Sequence, residues 1–344
     1  MFKQMRSPVV GMLAVTALAT GQNVWAKTGT TPVLFVGNST GDTISVIDVI
    51  AKKAIATVKV GNLVHAVCSQ GDGRKVFTTI ESENALKVID TATNKLTDTI
   101  ALTGRPNECA STEDGHYVVV PIVTDNTADI VDMTQKKVVK TLPIKGPHNC
   151  FSPVGGSNDV IYCEERRGYD IAKIDMKTQD IVDRISVNGD PRPFVVTPDG
   201  KTMYVAESDL HGFNIVDVPG RKIAQVILPP ASFMPCTIET ANTPTHGIAL
   251  TPDLKQLWAT DVIDGGMYVY DISTKKLSAK ISVGKCPNWI SISSDGKYVA
   301  VSNAESDSVS IVDGKTHKVL AEVPVGKGPK RLEIVDVPEQ QVTN

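Results

Sequence analysis

The sequence predicts an all-β fold, a seven-bladed β-propeller of four-stranded antiparallel blades, and three observations carry that prediction. First, a strand-like phrase ending in two mostly apolar residues and Asp recurs at Asp48, Asp90, Asp132, Asp175, Asp217, Asp271 and Asp313, with intervals of 42, 42, 43, 42, 54 and 42 residues. A period of roughly 40 to 45 residues built from strands is that of a propeller blade, too small to bury its own faces and so stacked radially on its neighbours. Second, the repeats contain Gly/Asp turns, among them Gly71-Asp-Gly73, Glu113-Asp-Gly115, Pro198-Asp-Gly200, Pro252-Asp253 and Ser294-Asp-Gly296, residues that accept positive φ between antiparallel strands. Third, the chain begins on the second strand of a unit and ends on a spare first strand, Arg331-Leu-Glu-Ile-Val-Asp-Val337. That last strand is expected to join the first three and close the ring.

Each unit reads as inner strand, turn, second strand, loop, third strand ending in the Asp, turn, and outer strand. Val33–Val36, Thr43–Val49 and Ala54–Val60 form the opening three strands, and Val64 begins the next inner strand. Ahead of them, Lys3 and Arg6 precede an apolar run, Pro8 to Ala19, with Val24-Trp25-Ala26 at the cleavage positions. Residues 1–26 are therefore read as a secretory signal peptide cut after Ala26, leaving 27–344 as one domain, periplasmic or secreted. A membrane anchor is the competing reading, but the run is shorter than the ~20 residues a spanning helix needs. No later stretch is apolar enough to span.

Net charge −3 and a pI near 6.1 offer no basic field for nucleic acid. The expected partners are a small-molecule ligand or a protein, with the chain itself a monomer. There is no Gly-x-Ser-x-Gly elbow, Walker loop or Gly-x-Gly-x-x-Gly, so serine esterase and nucleotide chemistry are unsupported. No Cys-x-x-Cys-His occurs for covalent haem, and no paired Cys-x-x-Cys for zinc. Disulfides are the ordinary use of six cysteines in an exported chain.

The pattern resembles the YVTN family of β-propeller repeat proteins over about residues 33–337. The matching stretches are Thr197-Pro-Asp-Gly-Lys-Thr-Met-Tyr-Val-Ala206, Ser294-Asp-Gly-Lys-Tyr-Val-Ala-Val-Ser-Asn303 and Ser308-Val-Ser-Ile-Val-Asp313, with Phe35-Val-Gly-Asn38 as a variant of the tetrad. The resemblance implies the fold and leaves the activity open, because propellers carry unrelated functions.

Two columns of residues could carry chemistry at the axis. The second residue of each inner strand reads His65, Asn107, His148, Arg192, His246, Asn288 and Lys330, all polar, and these are expected to bind ligand. Ten residues before each repeat Asp stand Asn38, Ile80, Ile122, Glu165, Glu207, Asp261 and Asn303. His148, His246, Glu165, Glu207 and Asp261 have the donor types of a divalent metal site. The alternative is an anionic ligand held by Arg192, Lys330 and protonated His, with the acids balancing charge. A bland reading, in which these residues only cap loops, competes with both. Glu81 and Glu164 stand one residue off the second column and, by strand alternation, are weaker candidates.

The long interval places an insertion, 229–245, between blades 5 and 6, read as a partial lid with Phe233 and Met234 as apolar contacts. A disulfide between Cys236 and Cys286 would fasten it. Cys109 and Cys150 sit at one inner-strand position on adjacent blades and Cys163 lies beside Cys150; pairing among these, or buried free thiols, both remain open, as does Cys68. A cysteine nucleophile is disfavoured, because no Cys has a repeat-defined His to deprotonate it. The leading functional reading is an exported binding or accessory propeller with a small ligand or metal at its axial mouth. The alternatives are a lactonase- or lyase-type enzyme using a divalent metal, and a redox accessory protein similar to the propellers of amine dehydrogenases or cytochrome d1.

Overall fold

The computed structural model describes residues 27–229, 236 and 243–339. The expected signal peptide and most of the insertion, with Phe233 and Met234, lie outside the described residues. Seven four-stranded antiparallel sheets make the ring. Blade 1 combines Thr30–Asn38, Thr43–Asp48 and Lys53–Lys59 with the C-terminal strand Pro329–Pro338. Thr30 pairs with Pro338 and Val36 with Leu332, so the closing strand is the innermost of its blade. Blades 2 to 7 follow in chain order, with inner strands at Cys68–Ser69, Ala110–Ser111, Pro147–Phe151, Pro191–Val196, Ile248–Leu250 and Pro287–Ile292.

The repeat Asp has a local job at every blade. Its Oδ1 accepts a backbone N–H from the turn that follows: Ala51 to Asp48, Thr93 to Asp90, Gln135 to Asp132, Thr178 to Asp175, Gly220 to Asp217, Thr274 to Asp271 and Thr316 to Asp313. Each is an Asx-type turn that delivers the chain to the outer strand. The inner hairpins place Gly73, Gly115, Gly200 and Gly296 at φ of 73°, 69°, 67° and 72°, and where Pro252-Asp253 lacks the glycine, Leu254 takes φ 59°.

Alternation does the rest. On the second and third strands nearly every side chain is buried, because both faces of a blade meet a neighbour. Phe77, Leu86 and Val88 of blade 2 pack with Val118, Val120 and Ile122 of blade 3, and truncating a buried Phe of this kind costs about 3–5 kcal/mol. Outer strands alternate exposed and half-buried residues. One 3-10 turn, Glu81–Glu83, interrupts the otherwise all-strand pattern of the described residues.

Three disulfides form: Cys68–Cys109 joins blades 2 and 3, Cys150–Cys163 crosses two strands of blade 4, and Cys236–Cys286 ties the insertion to the start of blade 7. No described cysteine is free, a composition that fits an oxidising, extracytoplasmic compartment. Among the described residues no helix is long and apolar enough to cross a membrane.

Candidate functional site

The inner strands begin at one end of the ring axis, and a cavity of about 740 Å3 opens there. Six of the seven first-column residues, His65, Asn107, His148, Arg192, His246 and Lys330, line it. The seventh, Asn288, is fully buried, with neither polar atom of its amide hydrogen-bonded, and its carbonyl lies 3.3 Å from His246 Nδ1.

None of the second column lines the cavity. Glu165 accepts from the Lys145 N–H (3.0 Å) and from Arg184 Nε (2.6 Å). Glu207 accepts from the Gly189 N–H (3.0 Å) and Asn214 Nδ2 (2.6 Å), and Asp261 pairs with His211 Nε2 (2.6 Å) and the Ile263 N–H (2.8 Å). Asn38 donates to Thr43 and Ser45, and Asn303 to Ser308 and Ser310; Ile80 and Ile122 are core. The column is a set of brackets holding loops and neighbouring strands. His148 and His246 are therefore not brought together with Glu165, Glu207 and Asp261. Among the described residues, the single group of three His, Cys, Asp or Glu close enough to share an ion is Cys236, Cys286 and Glu305, and its two cysteines are bonded to each other.

The position one residue beyond the second column is the one that reaches the mouth. It supplies Glu81, Val123 and Arg166 to the cavity wall, and Ser208 beside them. Glu81 hydrogen-bonds His65 Nδ1 and lies 3.8 Å from Arg105. Arg166 forms a bidentate pair with Asp190 (2.8 and 2.6 Å), whose Oδ2 also accepts from Ser208 (2.8 Å), and that hydroxyl accepts from Arg192 Nε (2.8 Å). Glu164, one residue before Glu165, is fully buried, accepts from the Asn149 N–H and lies 3.2 Å from His148 Nδ1. Pleat alternation does separate these positions from the second column, but the second column is the side turned away from the axis.

Below the mouth lies a second layer formed by the next residue of the inner strands. Arg331 fills the axis, with Nε 2.6 Å from Glu108 Oε2 and its guanidinium 3.8 Å over the Trp289 ring. Two consecutive residues face the axis because the register breaks where these strands start, between Pro147 and Cys150, Pro191 and Phe194, and Pro287 and Ile290.

The lining sets six cations, Arg105, Arg166, Arg167, Arg192, Lys330 and Arg331, against two carboxylates, Glu81 and Asp190. Burial pushes the His65 imidazole down to about 4, with Glu81 opposing and Arg331 and Lys330 adding to the fall. His148 and His246 are held well below the ordinary range by burial and by the neighbouring arginines. The imidazoles are thus neutral at pH 7, and the positive field comes from the guanidinium and ammonium groups. Burial pushes Glu164 up to about 8 and Glu108 up to about 7, although arginines pull both down. The mouth is a cationic basin edged with neutral imidazoles, suited to a ligand carrying several carboxylates or other anionic groups.

Comparison with known proteins agrees with the fold. A family described as YNCE-like beta-propeller matches residues 19–154, and one described as Cytochrome D1 heme domain matches residues 256–341. The chain is 30% identical over 151 residues to Antigen Lp49 of Leptospira interrogans serogroup Icterohaemorrhagiae serovar copenhageni, a match spanning 42% of this chain and 30% of the antigen. Hydrazine Synthase of Kuenenia stuttgartiensis superposes with a TM-score of 0.69 at 18% identity, over 88% of this chain and 99% of that one. The dihydro-heme d1 dehydrogenase NirN in complex with DHE gives 0.61 at 14% identity, over 85% and 63%.

Proposed function

We propose that this chain, a seven-bladed propeller of YVTN-type repeats, is an exported binding or accessory protein whose axial mouth holds a ligand bearing several carboxylates, and that the ligand is a tetrapyrrole of the haem d1 type. The observation that carries the reading is the imbalance of six cations to two carboxylates around one axial cavity. The segment similar to the Cytochrome D1 heme domain family supplies Asn288, Trp289, Lys330 and Arg331 to that region.

The residues present fit such a group. A tetrapyrrole is an apolar disc edged by carboxylates; Arg105, Arg166, Arg167, Arg192 and Lys330 would take the edge. His246 has its Nδ1 beside the Asn288 carbonyl, and an imidazole donating there keeps the Nε2 lone pair for a ligand. The unpaired Nε2 of His65 and amide of Asn288 are buried polar atoms for which a ligand or water would supply partners. When bound, an iron tetrapyrrole supplies a redox-active metal. The chain's own part is to neutralise the carboxylates and fix their orientation, while Arg331 and Trp289 floor the cavity against water from the far end.

The test is a titration of the full chain with iron coproporphyrin, which bears carboxylates, and with its amide derivative, followed by the visible absorption band. Saturable binding of the acid at micromolar concentration, with the amide at least about a hundredfold weaker, is the expected result. Equal binding of the two, or none, overturns the reading.

A further inference from the structure

A second cavity of about 400 Å3 opens at the opposite end of the axis, where the inner strands finish. Its chemistry is the reverse of the mouth above it. The lining holds four carboxyl residues, Glu108, Glu113, Glu333 and Asp336, and a single cation, Lys27, which is engaged with Glu113 and the Gly71 carbonyl. Glu108 is paired with Arg331 in the layer between the two cavities.

Glu333 has no such pairing. Its Oε1 accepts from Ser69 Oγ at 2.8 Å, while Oε2 is buried without a hydrogen-bond partner. Burial pushes this carboxyl up to about 7, Glu108 and Glu113 add to the rise, and the Ser69 hydroxyl opposes it. A buried carboxylate oxygen left without a donor costs stability, which a proton on the carboxyl, a water or a ligand N–H would relieve.

The same cavity is lined by three aromatic rings. Phe151 packs edge-to-face on Phe194 with centroids 5.0 Å apart and lies 6.0 Å from the Trp289 ring, and all three line the cavity. A carboxylate with an unpaired oxygen, in a cavity of ligand size that also holds the Phe151 and Phe194 rings and a Trp289 ring carrying Arg331 over one face, suits a cation with an apolar body. We propose that this second cavity binds an organic primary ammonium, its N–H donating to Glu333 Oε2 and its hydrocarbon part lying against Phe151, Phe194 and Trp289. The site's carboxylate and its two phenylalanines lie outside the opposite mouth, and Trp289 meets that mouth through Arg331.

The experiment is calorimetric titration of the full chain at about pH 8, where the Glu333 carboxyl is ionised, with phenethylammonium and with phenethyl alcohol as the uncharged comparison. One saturable site preferring the amine by about tenfold or more is expected. Glu333→Gln removes the preference while leaving alcohol binding in place, and Arg192→Ala at the other mouth leaves both unchanged. If Glu333→Gln folds poorly, Phe151→Leu reads the same site through its ring: amine affinity falls several-fold more than alcohol affinity. Equal affinity for amine and alcohol, no saturation by the amine, or a preference that survives the Glu333 and Phe151 substitutions overturns the proposal.

Discussion

Two columns of polar residues start from the same end of the ring and have opposite fates. The inner-strand column, His65, Asn107, His148, Arg192, His246 and Lys330, converges on one cavity. The second-strand column, Glu165, Glu207 and Asp261, is saturated with local partners, each carboxylate accepting a backbone N–H and a side-chain donor. A polar group whose hydrogen-bonding capacity is spent on its own scaffold stabilises that scaffold; one that lines a cavity presents whatever capacity remains to a ligand. Residue type does not separate the two groups, since both contain the donor atoms of binding sites.

This contrast can be broken or sharpened by substitution. The largest effect is expected for Arg166→Ala with Arg192→Ala, which removes two charge-assisted contacts and lowers affinity for a polycarboxylate porphyrin by about a hundredfold; titration reads it, and a comparable loss from a second-column variant would erase the distinction. Next, Glu165→Ala leaves Arg184 and the Lys145 N–H without their acceptor and costs about 1–3 kcal/mol of stability. Denaturant unfolding measures that loss, with porphyrin affinity unchanged.

A third prediction uses pH. The folded-state pKa of Glu164 is raised to about 8, above its ordinary 4.5, by burial. Its contribution to stability is therefore present below the ordinary value and is lost as pH rises through about 8. Glu164→Gln should match the parent protein near pH 5 and be the more stable of the two at about pH 9, read from unfolding curves at the two pH values. The smallest effect is expected at the rim, where Arg167 donates to Asn126 Oδ1 at 3.3 Å: Arg167→Ala should weaken porphyrin binding only about twofold to threefold, and less at high salt.

The blade count and the closing strand were legible because each follows from position within a repeat, and the Cys236–Cys286 pairing because the insertion and the start of blade 7 fall on the same face of the ring. The convergence of the inner-strand column was legible for the same reason. Glu81 and Arg166 were not, because strand alternation says that neighbours face opposite ways without saying which way is the axis. The choice is made by the packing of blades, not by any one strand. Glu108 and Arg331 escaped for a different reason: the register breaks at the starts of inner strands let adjacent residues point the same way, and a bulge of that kind leaves no mark in an alternating pattern. The Cys68–Cys109 bridge depends on the distance between neighbouring blades, which no single repeat encodes.

The strand Pro329–Pro338 is both the last element of the ring and the carrier of Lys330 and Arg331. The cationic basin is consequently incomplete until the C-terminal segment has docked beside Thr30–Asn38. A chain lacking that strand keeps six complete sheets and three strands of blade 1 but has no Arg331 in the floor of its mouth, so on the proposed reading it should not capture ligand.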